Sequence, residues 1–251
     1  MTIFTDTHCH LDLYPDMLQV AAECERRALK TISVTNLPSQ WQITSKRLAE
    51  FNHIRVALGL HPQLAVEHEH ELNIFLRLLP KVRYVGEVGL DGSKDFALSL
   101  PQQKRIFETI IQSCSEQEGK IMTLHSRGAV KDVLAILEQW MPGKRNAVIL
   151  HWFTGTQKQM LQAVQLGCYF SVNTQMVKSQ TGHKLIAEIP KERILTETDG
   201  PFVNYGREPA MPWHIEKVIR SLGTIWNLNV QQSAEHISSN FKTLLRSVPF
   251  D

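Results

Sequence analysis

Eight short apolar runs, most followed by a stretch of helical length, set the strongest constraint on what this chain can fold into. The runs are Ile3–Cys9, Thr31–Thr35, Arg55–Leu60, Arg83–Val88, Lys120–Leu124, Ala147–Leu150, Cys168–Val172 and Arg193–Thr196. Their length and β-branched content are those of strands. Amphipathic stretches lie between them at Met17–Lys30, Leu72–Leu79, Pro101–Glu118, Ala129–Trp140, Gln157–Leu166 and Lys184–Glu188, and two more, Trp213–Leu222 and Gln231–Leu245, close the chain. The helix near 101 has Pro101 in its first turn and keeps Ile106, Phe107, Ile110 and Ile111 at helical spacing. Eight strands alternating with helices over 251 residues predict an α/β fold, a (β/α)8 TIM barrel. A doubly wound open sheet is the alternative, but it normally carries a glycine-rich phosphate turn after its first strand, where this chain has His8-Cys9-His10.

The polar residues at the strand ends are the second constraint. In a strand, alternate side chains share a face, so Asp6, His8 and His10 project together. Two imidazoles on one face, with a carboxylate behind them, are half of a metal site. His61 follows the third run, Glu87 ends the fourth in Gly86-Glu87-Val88-Gly89-Leu90-Asp91, His125 follows the fifth, His151 the sixth, and Glu197 and Asp199 the eighth. Taken singly, each has a plainer explanation. His125 could be a hydrogen-bonded core histidine, Asp199 before Gly200-Pro201 a turn former, and Glu87 a buried partner of an arginine. The plainer explanations do not account for recurrence in phase with the barrel repeat. A barrel gathers these strand ends on one face, where four of these histidines with a Glu and an Asp suit one or two divalent ions. His53, His68, His70, His183, His214 and His236 fall in helical or loop contexts and are expected to be surface or packing residues.

Composition narrows the rest. No linker, low-complexity tract or repeat divides the chain, which reads as one domain over residues 1–251. A net charge of +2 leaves no basic tail to hold nucleic acid by counterion release alone, although bound cations can themselves meet phosphates. Cys9, Cys24, Cys114 and Cys168 are scattered, as expected of reduced core thiols rather than a disulfide framework. Neither a signal peptide nor a membrane span is evident, and a soluble cytoplasmic protein is expected.

The ordered set Asp-x-His-x-His, Gly-x-His-Pro, Gly-Glu-x-Gly-Leu-Asp, Leu-His-Ser-Arg, His-x-Phe-x-Gly and Glu-Thr-Asp-x-Pro resembles the TatD family of metal-dependent deoxyribonucleases, which are barrels of the metallo-dependent hydrolase type. The resemblance implies His8, His10, Glu87, His125, His151 and Asp199 as metal ligands, with Glu87 bridging two ions. Mg²⁺, Mn²⁺ or Zn²⁺ would serve. It further implies phosphodiester hydrolysis of DNA, with Asp199 and Glu87 as catalytic carboxylates and His61 as a substrate or supporting group. Arg127 is a candidate for the phosphate tail, and Trp152 and Phe153 for stacking an unpaired base, which favours an exonuclease on single-stranded ends. The wording at residues 10–16, 58–63, 89–93 and 151–153 is similar to the TatD-type component of Qat anti-phage defence systems, implying an ATPase and a queuosine-synthesis-like protein as partners. Three departures, at Gly92-Ser93, Gly128 and Arg207-Glu208-Pro209, fall outside the ligand set and bear on substrate choice. Two other functions compete: a C–N or C–O hydrolase of amidohydrolase type, and a non-catalytic subunit that recognises DNA ends or a nucleobase. Many amidohydrolase barrels bridge their metals with a modified lysine from strand four, where this chain has Glu87.

Overall fold

Every expected strand is present in the computed structural model, which describes residues 4–248, and each lies within three residues of its expected bounds. Ile3, the expected first strand residue, lies outside the described residues. The strands are β1 (Thr5–Cys9), β2 (Lys30–Val34), β3 (Ile54–Ala57), β4 (Tyr84–Gly89), β5 (Ile121–His125), β6 (Ala147–His151), β7 (Tyr169–Val172) and β8 (Ile194–Thr196). They pair in parallel in two ladders, β1-β2-β3 and β4-β5-β6-β7-β8. A bridge between Leu58 and Val85 joins β3 to β4, backed by Leu58 N–H to Tyr84 O at 3.0 Å and Gly86 N–H to Leu58 O at 2.8 Å. At the other seam Thr196 Oγ1 donates to Thr5 O (2.6 Å), Thr7 Oγ1 to Thr196 O (3.1 Å) and Asp199 N–H to His8 O (2.9 Å). The sheet therefore closes, and the open-sheet alternative is set aside.

The helices are α1 (Met17–Arg26), α2 (Pro38–Arg47), α3 (Pro62–Ala65), α4 (Leu72–Leu78), α5 (Leu100–Ser115), α6 (Val130–Trp140), α7 (Gln157–Gln165), α8 (Thr174–Lys178), α9 (Gln180–Glu188), α10 (Ile215–Trp226) and α11 (Val230–Ser247). α1 stops short of the expected Lys30 because Ala28 turns left-handed (φ 51°) and Leu29 N–H caps Cys24 O. α2, α3 and α8 have no counterpart in the sequence pattern: α2 is polar along most of its length, and the other two are single turns. The short strands β9 (Asn204–Tyr205) and β10 (Glu208–Pro209) form an antiparallel hairpin.

Two apolar layers fill the molecule. Outward-facing strand residues such as Leu124, Leu150 and Phe170 pack under the helices, while Ile32, Val34, Ala57, Ile121, Ile149 and Leu195 fill the lumen. α11 stops the lumen from below with Phe241 and Leu244, and Arg83 anchors its end by donating to Leu245 O and Val248 O. Parity then carries the lumen pattern upward. Ile121 and Ile149 face inward, so His125 and His151, an even number of residues further along their strands, face inward as well. All four cysteines are buried and unpaired, as expected. Among the described residues no helix is long and apolar enough to cross a membrane.

Candidate metal centre

Glu87 sits at the centre of the upper face, and its two oxygens address different groups. Oε2 lies 3.3 Å from both His8 Nε2 and His10 Nε2, and Asp199 Oδ1 lies 3.8 Å from the same two nitrogens. Oε1 lies 2.7 Å from His125 Nδ1, 3.4 Å from His61 Nε2 and 3.7 Å from His151 Nε2. Burial would raise the Glu87 pKa, but the surrounding imidazoles of His61 and His8 and the bonds from His10 and His125 hold it well below the usual carboxylate range. Local backbone geometry makes this convergence possible. Gly59 passes so close to β2 that a Cβ would stand 1.6 Å from Thr35 O, and this passage lets Leu60 N–H reach Glu87 O and His61 N–H reach Asn36 O. Asp199 is held at φ 51°, a conformation aspartate tolerates better than most residues, with its N–H on His8 O and its O on Val203 N–H.

The hydrogen-bond partners sort the histidines by role. His151 Nδ1 faces Glu197 Oε1 at 3.0 Å, and an ionised carboxylate only accepts, so in the neutral ring, the form that binds a cation, Nδ1 carries the proton and the Nε2 lone pair points inward. His8 Nδ1 is 2.8 Å from Thr123 Oγ1, while its Nε2 is buried with no hydrogen-bond partner, as is Nδ1 of His10. His125 lies between two carboxylates, Nδ1 on Glu87 and Nε2 3.0 Å from Asp91 Oδ2, and those bonds overcome burial to raise its pKa. His61 differs. Its Nδ1 accepts from Gln63 N–H at the start of α3, so in the neutral ring Nε2 is a donor rather than a ligand. A buried, partnerless imidazole nitrogen facing two carboxylates is the arrangement a divalent ion completes, and Thr123 and Glu197 supply the outer hydrogen bonds that orient ligating rings. The donor set thus fits metal.

Electrostatics separate the remaining groups. Burial pushes the Asp199 carboxyl up to about 7 against the pull of His151 and His10. Burial pushes Asp6 up to about 8, although Thr198 and the His8 N–H donate to it. For His151 burial is outweighed by Glu197 and Asp199, which push it up to about 10; burial and the neighbouring His151 push His8 down to about 4. Those two rings stack with centroids 3.8 Å apart, so one of them stays neutral.

A cleft of about 640 Å³ opens above Glu87. His10, His61, Glu87, His125, His151, Asp199, Arg127 and Trp152 all line it, and of the other residues expected at the site from the sequence, His8 lies buried beneath it against Glu87 and Phe153 lies elsewhere. Arg127 is exposed and Trp152 half-buried at the rim. Phe153 corrects the stacking expectation: it is 1% exposed and packs on Phe170, because the strand-end turn at Trp152 (φ 39°) sends the two aromatics opposite ways. Phe202 takes its place, 61% exposed at the cleft with its ring 4.9 Å from that of His10. Sequence reasoning also missed Asn36, whose Oδ1 is buried without a partner beside the cleft, and the roles of Asp91 and Glu197. Glu197 was legible as a strand-end acid, but its four partners were not. The unusual Gly92 and Gly128 prove to be one feature, since a Cβ on Gly92 would stand 2.6 Å from Gly128 O. Finally, His68 and His70, expected as surface or packing residues, cluster with Glu71 away from the cleft.

Residues 5–246 match the TatD related DNase family. The 3'-5' ssDNA/RNA exonuclease TatD of Citrobacter rodentium is 32% identical over 177 residues, covering 67% of this chain and 65% of that protein, just under two thirds of its length. The human deoxyribonuclease TATDN3 is 24% identical over 256 residues, covering 94% of this chain and 92% of its own. The crystal structure of YJJV, a TatD homolog from Escherichia coli K12, shares the fold with a TM-score of 0.84 at 24% identity, over 97% of this chain and 98% of that one. With the family match running across nearly the whole described barrel, the chain belongs to the TatD-related DNase family of hydrolases acting on phosphodiester bonds.

Proposed function

We propose that this protein is a metal-dependent exonuclease acting on single-stranded DNA ends, with His8, His10, Glu87, His125, His151 and Asp199 holding one or two divalent ions. The observation that carries this reading is the divided carboxylate of Glu87, one oxygen toward His8 and His10 and the other toward His125 and His151. Bound ions of this kind lower the pKa of water and draw charge from phosphate oxygens, and Mg²⁺, Mn²⁺ or Zn²⁺ all provide this chemistry. Asp199, on the cleft wall, is pushed by burial up to about 7, so its ionised fraction at neutral pH is substantial and takes the proton of the attacking water. His61 Nε2 donates to a phosphate oxygen, Arg127 at the rim pairs with the next phosphate, and Trp152 and Phe202 offer faces to an unpaired base. The activity named for the Citrobacter relative supports the single-stranded preference. The test is chelator-treated protein on end-labelled single- and double-stranded DNA and RNA with each metal restored. Stepwise shortening of single strands only on metal addition is expected; internal cutting, or activity surviving chelation, overturns the reading.

The wording at residues 10–16, 58–63, 89–93 and 151–153 supports a finer proposal. In it the nuclease works in the cytoplasm as the TatD-type component of a Qat anti-phage system, beside an ATPase and a queuosine-synthesis-like protein. His125→Ala, expressed with the neighbouring genes, should then abolish protection against phage. Protection that survives would make the barrel a recognition subunit.

A further inference from the structure

We propose that His68, His70 and Glu71 form a second transition-metal site, separate from the centre around Glu87. The three residues lie in one turn between α3 and α4, and each offers a ligand atom within 4.8 Å of the others. His68 Nδ1 stands 3.7 Å from Glu71 Oε1. That is too long for a hydrogen bond. It is close to the edge of a tetrahedron around zinc, about 3.3 Å for bonds of about 2.0–2.1 Å.

The carboxylate is set in advance. Glu71 is 5% exposed, and its oxygens accept from Ser39 N–H at 2.8 Å and Ser39 Oγ at 3.0 Å in the first turn of α2. These bonds fix the ligand while leaving lone pairs free on both oxygens. The turn itself is tied to α5 by Gln102 Nε2 donating to Glu69. His70 is exposed and His68 half-buried, so both rings can swing onto an ion at little cost to packing.

Two imidazoles and one carboxylate select a zinc-like ion over magnesium, which prefers oxygen ligands and retains its water. Three protein ligands leave a position open to solvent. The ion would stiffen the turn that Ser39 of α2 already holds through Glu71, in the same segment that carries His61 and Gln63, and Gln63 in turn holds Asp91 by a 2.7 Å hydrogen bond. The site thus reaches the cleft through one short segment without sharing a ligand with it.

The test is metal content after equilibration with Zn²⁺ and gel filtration, comparing wild type with a His68→Ala/His70→Ala double variant. The variant should lose one equivalent of Zn²⁺ per chain and retain the equivalents bound around Glu87. Glu71→Gln keeps the Ser39 contacts in shape and should lose the same equivalent. Equal zinc content in wild type and both variants overturns the proposal. Because the readout is metal rather than cleavage, it stands or falls independently of the nuclease reading.

Discussion

Glu197→Gln is the most informative single change in this barrel. Glu197 is fully buried, and its Oε1 accepts from His151 Nδ1 (3.0 Å), Trp152 N–H (3.1 Å) and Asn173 Nδ2 (2.9 Å), while Ser171 Oγ donates to Oε2. Replacement by Ala would strand four buried donors at about 1–3 kcal/mol each, a sum of about 4–12 kcal/mol that approaches the whole stability of a domain. Gln avoids this. Its carbonyl oxygen can take the Oε1 position and keep the three donors there, and the Ser171 hydroxyl can turn to accept from the new amide. What disappears is the negative charge opposite the His151 ring. Hydrogen bonds to charged groups contribute about 1.5–3 kcal/mol against about 0.5–1.5 for neutral ones, so the clamp weakens by about 1 kcal/mol per bond. Outer hydrogen bonds of this kind are worth about 10–100-fold in metal affinity or activity. Glu197→Gln should therefore fold, melt within a few degrees of wild type, and bind Mn²⁺ or Zn²⁺ about ten-fold more weakly by titration calorimetry. Metal affinity and cleavage rate both within two-fold of wild type would refute the argument that this charge holds His151 in its ligating tautomer.

Four further outcomes follow from the same geometry. Glu87→Ala should lose bound metal, by elemental analysis, and all hydrolysis of end-labelled DNA, while circular dichroism still reports a folded barrel, because Glu87 lies above the apolar lumen rather than within it. Asp199→Asn should slow cleavage by about 10² or more at saturating metal, the cost of removing a general base; a few-fold change would place the base elsewhere. Phe153→Ala should destabilise by about 3–5 kcal/mol in urea melts, whereas Phe202→Ala should leave stability unchanged and weaken single-strand binding, reversing what a stacking role for Phe153 would produce. Restoring Zn²⁺ to chelated protein at 100 times its dissociation constant should stabilise the fold by about 2.7 kcal/mol, read as a rise in melting temperature, and an unchanged melt would place the bound ion outside the folded structure's own energetics.

Much of this molecule could be read from the chain, for a definite physical reason. The barrel strands are buried on both faces, so their composition stands out, and strand parity alone carries His8, His10, His125 and His151 to the inner face. What could not be read depended on turns and on partners distant in sequence. Trp152 and Phe153 are neighbours, yet a left-handed backbone at the first sends one to the rim and the other into the core. Phe202 follows a turn at Asp199 whose φ of 51° no apolar pattern announces. α2 carries too few apolar residues to announce itself in the sequence, and α11 reads as one more amphipathic helix although it stops the barrel from below.

The tautomers complete the division of labour in the cleft. His151 and His61 both follow strand ends and both point at Glu87 Oε1, so spacing treats them alike. Their far nitrogens separate them. An ionised Glu197 can only accept, which forces the single proton of the neutral His151 ring outward and leaves a lone pair facing the centre. The Gln63 N–H can only donate, which forces the opposite tautomer on His61 and turns a proton inward. One ring is therefore equipped to hold a cation and the other to hold an anionic oxygen, with their inward nitrogens 3.7 Å and 3.4 Å from the same carboxylate oxygen. A phosphodiester needs both at once, a cation for its charge and a donor for the oxygen the cation does not reach. Carboxylate orientation and helix capping, neither visible as a motif, are thus what turn a cluster of histidines into a site with a direction.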